Sequence, residues 1–214
     1  MSGKDDEAEA LELAALVSSK ICHDLIGPVG AIFNGVEMLD SEADEDARAD
    51  ALDLIRTYTE VAKAKLQFMR FAFGAAGSAG AVLDLREAEQ IARGYFGRGK
   101  HTLTWKVPPG QMAKNRAKLL LNLVAIAQTA LVKGGDIEVG LTGRPEDPGI
   151  EIRCRGQGAR PPQTLTELVN GSGPVAARDA LTVQAYYARD LAEASGVRLS
   201  VATEGGDIVI RAAR

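Results

Sequence analysis

The run ICHDLIGPV at residues 21–29 decides how the first part of this chain folds, because it places a histidine opposite an apolar helical stripe. On a helix that turns about 100° per residue, six apolar residues lie between roughly 160° and 240° from His23. They are Ile21, Leu25, Val29, Ile32, Val36 and Leu39. Gly27, Gly30 and Asn34 instead lie within roughly 40° of His23. The spacing therefore predicts a helix whose histidine faces solvent across a surface kept low by glycines.

The glycines and the proline of this helix need a physical reason. Gly in a helix interior costs about 1 kcal/mol relative to Ala, and Pro removes a backbone donor. Pro28 is predicted to bend the helix just after His23. A neutral imidazole is nucleophilic near neutral pH. The presence of Gly27, Gly30 and Gly35 favours the interpretation that His23 is reactive and has space around it. The plainer interpretation, a solvated surface histidine, stays open on position alone.

Four further side chains near the direction of His23 are candidates for the same site. Asp24 can accept the proton of one ring nitrogen of His23 and fix its tautomer, and Lys20 can neutralise the charge of a phosphoryl group. Leu16 and Met38 lie within about 60° of that direction and, as apolar residues beside a reactive group, suggest a docking contact. Each has a plainer interpretation too, solvated charges for the first pair and packing for the second.

Two long helices joined by a short acidic turn organise the first part of the chain. The first is predicted from about Glu9 to Leu39 and the second from about Glu45 to Phe73. The second helix carries a stripe at alternating spacings of three and four residues, the heptad spacing. The stripe consists of Leu52, Ile55, Thr59, Ala62, Leu66, Met69 and Phe73. An antiparallel pair of helices cannot enclose a core alone, so we expect a second copy of the chain to complete a dimeric four-helix bundle.

A linker of small residues at positions 74–80 separates this hairpin from a part with a different pattern. Beyond it, helical periods alternate with runs typical of strands. Helices are predicted at residues 85–98, 113–132 and 180–195, and strands at 101–107, 136–141, 149–155, 197–203 and 207–211. The predicted fold class is α+β, with a helical hairpin over residues 9–74 followed by an α/β sandwich over residues 81–214.

Composition argues against several classes of function. The 214 residues are 46% hydrophobic and 25% charged, as in globular proteins, and no apolar run approaches the ~20 residues of a membrane span. A net charge of −4 and 5% aromatic residues argue against nucleic-acid binding. Cys22 and Cys154 form no metal or redox motif, and residues 1–10 lack the pattern of a signal peptide. We therefore expect a cytoplasmic protein that binds neither membrane nor nucleic acid.

The run HDLIGP at residues 23–28 resembles the phosphoacceptor motif of sensor histidine kinases, in which a histidine, an acid and a later proline lie on the first helix of a dimeric hairpin. The second part resembles the kinase ATP-binding domain in its order of elements. Asn122 matches the first of that family's two asparagines, but Ile126 replaces the second, which helps to hold magnesium. Cys154 replaces the aspartate that binds adenine, and the helix opening at residues 180–183 lacks the phosphate-binding glycines. The resemblance implies a degenerate domain that does not bind ATP.

This combination resembles the ChpT-type histidine phosphotransferases of alphaproteobacterial cell-cycle phosphorelays, over about residues 11–212. The segment LQFMRFAFG at residues 66–74 is similar to the corresponding segment of that family. The resemblance implies a homodimer that takes a phosphoryl group from the receiver domain of a hybrid histidine kinase and passes it to downstream response regulators. His23 and Asp24 are then the catalytic residues. The chain needs no cofactor or metal of its own, because the receiver domain supplies Mg²⁺.

The same interpretation assigns partner binding to the residues around His23. They are Leu16, Lys20, Gly27, Gly30, Asn34 and Met38. Two alternatives stay open. One is an autophosphorylating histidine kinase with an atypical ATP site, against which the missing asparagine, aspartate and glycines argue. The other is a non-catalytic pseudo-kinase scaffold whose histidine is inert.

Overall fold

Two antiparallel helices form the first part of the protein in a computed structural model. The structure describes residues 2–41, 44–74, 81–97, 99–144, 147–171 and 178–214. Helix α1 spans Ser2–Asp40 and helix α2 spans Glu45–Phe73. The Asp44 side chain accepts a hydrogen bond of 2.9 Å from the Ala47 N–H and so caps the start of α2. The predicted bounds of α2 are confirmed, whereas α1 begins before its expected start at Glu9 and continues without a break through Pro28.

A close approach between the two helices sets the packing of the hairpin. Pro28 and Gly35 are the buried residues on the α1 side, and Ala51 is fully buried on the α2 side. A Cβ atom at Gly35 would come within 2.7 Å of Ile55 Cγ1 and 3.3 Å of the Ala51 carbonyl oxygen. Gly35 is therefore required for the helix contact, which gives this glycine a packing role.

The predicted apolar stripe of α1 is divided between two surfaces. Ile21, Leu25 and Ile32 are half-buried, whereas Val29 and Val36 are 55% and 42% exposed in the single chain. Other large apolar side chains of the hairpin are exposed beside them, namely Leu11, Ile26, Phe33, Met38, Leu52 and Leu66. The single hairpin therefore leaves part of the predicted stripe exposed.

A five-stranded sheet and four helices form the second part. The elements are β1 Val82–Asp84, α3 Leu85–Phe96, β2 His101–Trp105, β3 Gln111–Ala113, α4 Lys114–Ala127 with a 3₁₀ turn at Gln128–Ala130, β4 Gly135–Arg144, β5 Asp147–Arg155, α5 Gln163–Asn170, α6 Val183–Ala194, β6 Arg198–Glu204 and β7 Asp207–Ala213. The sheet order is β2-β4-β5-β7-β6, parallel between β2 and β4 and antiparallel elsewhere, and β1 pairs separately with β3. The α+β class is confirmed for the single chain.

Three elements were not predicted from the sequence. They are the three-residue strands β1 and β3 and the short helix α5. Strands of three residues show no measurable alternation, and eight residues give too few turns for a helical period. Strands β4 and β5 are longer than predicted because their pairing continues from Thr142–Gly149 to Arg144–Asp147. Of the predicted linker, residues 75–80 lie outside the described residues.

One hydrophobic core joins the end of the hairpin to the second part. Phe68, Met69 and Ala72 of α2 belong to the same buried cluster as helices α3, α4 and α6. The Phe68 ring stacks on Tyr95 of α3 with centroids 4.0 Å apart. Residues 117–127 of α4 are buried throughout, which explains why this helix reads as apolar on all sides.

Helix α1 has the length and apolar composition of a membrane-spanning helix, which the sequence did not predict for any segment. Within Glu7–Asp40, an 18-residue window has a mean hydropathy of 1.2, which is long and apolar enough to cross a membrane on length and composition alone. Among the residues that the structure describes it is the one such helix, and 6% of the window is buried in the single chain. Contact with α2 and the exposed apolar side chains together account for this composition.

We expect Gly35→Leu to lower the free energy of unfolding by on the order of 1–3 kcal/mol, because the side chain would be forced against Ile55 and the Ala51 backbone. Gly27→Ala should instead raise it by up to about 1 kcal/mol, since a Cβ there meets nothing within 4 Å. Urea unfolding at one fixed protein concentration measures both. Equal stability of Gly35→Leu and the parent chain would contradict the packing role of Gly35.

Candidate functional site

His23 lies on α1 with its ring directed to solvent. Its side chain is 59% exposed, and its Nδ1 atom is 3.1 Å from Asp24 Oδ1. A carboxylate can only accept a hydrogen bond, so this contact favours the tautomer that carries its proton on Nδ1. The lone pair on Nε2 then faces outward as the nucleophilic atom of the ring.

Asp24 is the residue that connects His23 to the rest of the protein. Its side chain is only 11% exposed, and its second carboxylate oxygen, Oδ2, lies 2.6 Å from Lys20 Nζ. Its main-chain oxygen accepts a hydrogen bond of 2.9 Å from Lys65 Nζ on α2. Each of the three oxygen atoms of Asp24 therefore has a different partner, and its carboxylate cannot rotate freely away from His23.

Lys20 makes a contact that the sequence did not indicate. It was predicted to stand near His23 and meet the charge of a phosphoryl group. Its ammonium is instead paired with Asp24, and its side chain is 11% exposed. Lys20 therefore contacts the Asp24 carboxylate and helps to hold it in place.

The remaining predicted partner-binding residues share the surface of α1 with His23. Gly27 and Gly30 are exposed, and a Cβ atom at either position would meet nothing within 4 Å. Asn34 and Met38 are also exposed, while Leu16 is half-buried. At Gly27 and Gly30, on the C-terminal side of His23, no side chain therefore covers the helix backbone.

Sequence reasoning missed two residues of this site, Lys65 and Tyr95. Burial raises the pKa of Tyr95 to about 12, and the Asp24 charge adds to the rise, so Tyr95 of α3 lies within electrostatic range of Asp24. No period in α3 or α2 could have indicated these contacts. The one pointer to Lys65 is Pro28, whose missing N–H leaves the carbonyl four residues earlier, that of Asp24, without its helical donor.

The asparagine that matches a nucleotide-binding box has a structural role here. Asn122 is fully buried, and its side-chain N–H groups donate to the main-chain oxygens of Ala72 at 3.0 Å and Lys118 at 2.9 Å. Its carbonyl oxygen accepts from Gln184 Nε2 at 3.2 Å. The amide therefore joins α2, α4 and α6, and both of its donors are used.

The other positions of the nucleotide boxes are apolar or already occupied. Cys154 is fully buried, which raises the pKa of its thiol to about 12. Ile126 lines a cavity of about 330 Å³ whose walls include Pro161, Leu165 and Leu181. Among the described residues, no group of three His, Cys, Asp or Glu side chains is placed to hold a metal ion.

An aspartate takes the backbone donors at the turn that leads into α6. The Asp179 carboxylate accepts hydrogen bonds of 2.8 Å from the N–H groups of Leu181 and Thr182. These bonds lower the pKa of Asp179, so a negative charge is fixed at the position where the kinase pattern has glycines around a phosphate. An anionic ligand would have to displace this carboxylate.

The chain has relatives among known proteins. The family model for the histidine phosphotransferase C-terminal domain matches residues 85–207. The chain is 44% identical over 204 residues to protein phosphotransferase ChpT of Brucella abortus (strain 2308), covering 95% of this chain and 96% of that protein. A bacterial phosphotransferase solved at 1.7 Å superposes with a TM-score of 0.85 at 41% identity, covering 95% of this chain and 96% of that one.

The family model spans more than half of the chain, and the relatives match it over nearly its whole length. The chain therefore belongs to the histidine phosphotransferase family and is a phosphotransferase.

Proposed function

We propose that His23 is the phosphoacceptor of a multistep two-component phosphorelay, with a role in cell-cycle control. It takes a phosphoryl group from the aspartate of a hybrid kinase's receiver domain and passes it to the receiver domains of downstream response regulators. The observation that carries this proposal is the His23–Asp24 contact of 3.1 Å on an exposed helix face. This contact leaves Nε2 as the solvent-facing nucleophilic atom, next to the uncovered positions of Gly27 and Gly30.

The transfer step uses the side chains of this chain in simple roles. Nε2 of His23 attacks the phosphorus of the receiver's acyl phosphate in line, so an N–P bond forms as the P–O bond to the receiver aspartate breaks. The electron pair of the broken bond stays on the departing carboxylate. The ring gains positive charge while keeping its Nδ1 proton, and Asp24 stabilises that charge. The receiver domain supplies the Mg²⁺ that neutralises the transferring phosphoryl group, and the chain holds no cofactor of its own.

The receiver domain docks on the face of α1 that carries His23. Gly27 and Gly30 let its surface approach the ring, and Asn34, Met38 and Leu16 supply polar and apolar contacts around it. Lys20 takes part through Asp24 rather than through a free ammonium group.

A second copy of the chain covers the apolar side chains that the hairpin leaves exposed. Ile26, Val29, Phe33 and Leu66 are each more than half exposed, with values of 75%, 55%, 60% and 51%. An unpartnered row of this size is uncommon on a soluble monomer, and two hairpins can bury it between them. We therefore propose a homodimeric four-helix bundle, in the cytoplasm, with neither membrane nor nucleic acid as a partner.

The described positions that match the nucleotide boxes argue against an autophosphorylating kinase. Asn122 uses both of its donors within the fold, Asp179 occupies the backbone N–H groups before α6, and Cys154 is buried and neutral. The alternative of an inert scaffold does not explain the three contacts that hold Asp24, or the uncovered positions at Gly27 and Gly30.

We expect His23→Gln and His23→Ala to abolish phosphoryl transfer from a phosphorylated receiver domain while leaving the protein folded, because the nucleophile is lost from an exposed position. The measurement is acid-labile, base-stable phosphate on the protein, with circular dichroism as the control for folding. γ-Labelled ATP alone should not label the parent chain. Transfer that persists in either variant, or labelling by ATP, would overturn the assignment.

We expect Gly30→Leu to block transfer by bulk, since its side chain would stand in the approach path to His23. Leucine also favours the helix by about 0.8 kcal/mol over glycine, so helix loss would not explain the effect. Gly30→Ala is the matched control and should transfer at close to the parent rate. Normal rates with Gly30→Leu would show that partners approach from another side.

We expect Leu66→Asp to weaken dimerisation by roughly a hundredfold or more, because each protomer would bury an unpaired carboxylate. Light scattering at micromolar concentration measures the mass, and Lys63→Asp, on an exposed position of the same helix, is the control. A monomeric parent chain would contradict the bundle itself.

A further inference from the structure

Helix α1 has a gap in its backbone hydrogen bonding within the phosphoacceptor motif. In an α-helix the carbonyl of one residue accepts from the N–H four residues later. The partner expected for the Asp24 carbonyl is residue 28, which is a proline and has no N–H. The helix nevertheless continues from Ser2 to Asp40 through this point. A carbonyl without a donor in a partly buried position is destabilising, so a substitute donor is needed.

Lys65 of α2 is that substitute. Its ammonium donates to the Asp24 main-chain oxygen at 2.9 Å, across 41 residues of sequence and from a half-buried side chain. A charged donor makes a stronger hydrogen bond than the neutral amide it replaces. The bond also differs in kind, because it links α1 to α2, where an ordinary helical bond would stay within α1.

The same residue that receives this bond holds the reactive histidine. Asp24 contacts His23 Nδ1 through Oδ1 and Lys20 through Oδ2, so its backbone and both carboxylate oxygens are fixed by three neighbours. Two ammonium groups against one carboxylate leave one net positive charge beside the ring that takes up the phosphoryl group.

We propose that Lys65 is a positioning residue for phosphoryl transfer. By replacing the N–H that Pro28 lacks, it fixes the main chain at Asp24, and thereby the carboxylate that orients the His23 ring. This inference rests on the proposed role of His23 as phosphoacceptor. Lys65 itself acts through Asp24 and makes no contact with His23 that the structure describes.

The test combines two substitutions that act on the same carbonyl. Lys65→Met removes the donor but keeps the apolar stem of the side chain, and Lys65→Arg keeps a charged donor. Pro28→Ala restores a backbone N–H at the position where helical bonding requires one. Lys63→Met is the matched control, because Lys63 lies on the same helix with a 60% exposed side chain paired with Glu60.

We expect Lys65→Met to slow transfer from a phosphorylated receiver domain by about tenfold, the loss of one charge-assisted hydrogen bond. Lys65→Arg should keep most of the rate, and Lys63→Met should match the parent chain. Lys65→Met combined with Pro28→Ala should recover to the rate of Pro28→Ala alone. The ¹⁵N spectrum of the His23 ring, recorded without any phosphoryl donor, should follow the same order: fixed Nδ1–H tautomer in the parent chain, mixed tautomers in Lys65→Met, and recovery in the double variant.

Two results would overturn the proposal. One is a Lys65→Met protein that equals Lys63→Met in both rate and ring spectrum. The other is a loss of transfer with an unchanged ring spectrum and no recovery by Pro28→Ala, which would mean that the charge of Lys65 acts on the phosphoryl group directly. If Lys65→Met does not fold, Lys65→Gln takes its place, since its shorter polar side chain tolerates the site but cannot reach the carbonyl.

The outcome is separable from that of the proposed function. Transfer that survives in His23→Gln removes His23 as the phosphoacceptor. The coupling between Lys65 and Pro28 in the ring spectrum is measured on the unphosphorylated protein and is decided independently. The ring spectra of the Lys65 and Pro28 variants could change as expected while their transfer rates do not. That result would show a structural link without a role in the reaction, and it would overturn the positioning role alone.

Discussion

The buried amide of Asn122 is the contact on which the relation between the two parts of the molecule depends. It bonds to the main chain of α2 at Ala72 and of α4 at Lys118, and it accepts from Gln184 of α6. Loss of one such partner would leave a buried polar group unsatisfied, at a cost of about 1–3 kcal/mol. This amide and the Phe68–Tyr95 stack fix the second part against α2. Tyr95 of α3 therefore keeps its position near Asp24, and the environment of the site stays the same.

The second part thus uses positions of a nucleotide-binding pattern for packing. Asn122 joins helices, Cys154 of β5 is buried in the core, and Ile126 lines a cavity with both polar and apolar walls. Asp179 supplies from within the chain the negative charge that a phosphate would bring to the N–H groups before α6. These features support the proposal that the phosphoryl chemistry takes place at His23.

Local pattern predicted what depends on local pattern. The bounds of α2, the exposed direction of His23 and the alternating runs of the sheet all follow from periods within one segment, and the structure contains each of them. Of the predicted α2 stripe, Met69 is buried, whereas Leu52, Thr59 and Leu66 are exposed in the single chain. The extra strands β1 and β3, the division of the α1 stripe at Val29 and Val36, and the contacts of Lys65 and Tyr95 depend on which segments meet. Such contacts leave no period in a single sequence. Lys20 shows the same limit. The helical period places it on the side of His23, but no period indicates that its ammonium pairs with Asp24.

Pro28 makes the helical turn at His23 depend on helix α2, as a turn without proline would not. With a residue other than proline, the Asp24 carbonyl would be satisfied within α1 whatever α2 did. With proline, the best donor comes from Lys65, so the geometry at His23 is correct only when α1 and α2 are packed in register. Gly35 sets that register by allowing the backbones to approach at Ala51 and Ile55. If Lys65 positions Asp24 as proposed, the orientation of the His23 ring depends on the assembled hairpin, and a loosened hairpin would lose that orientation before it lost the helix.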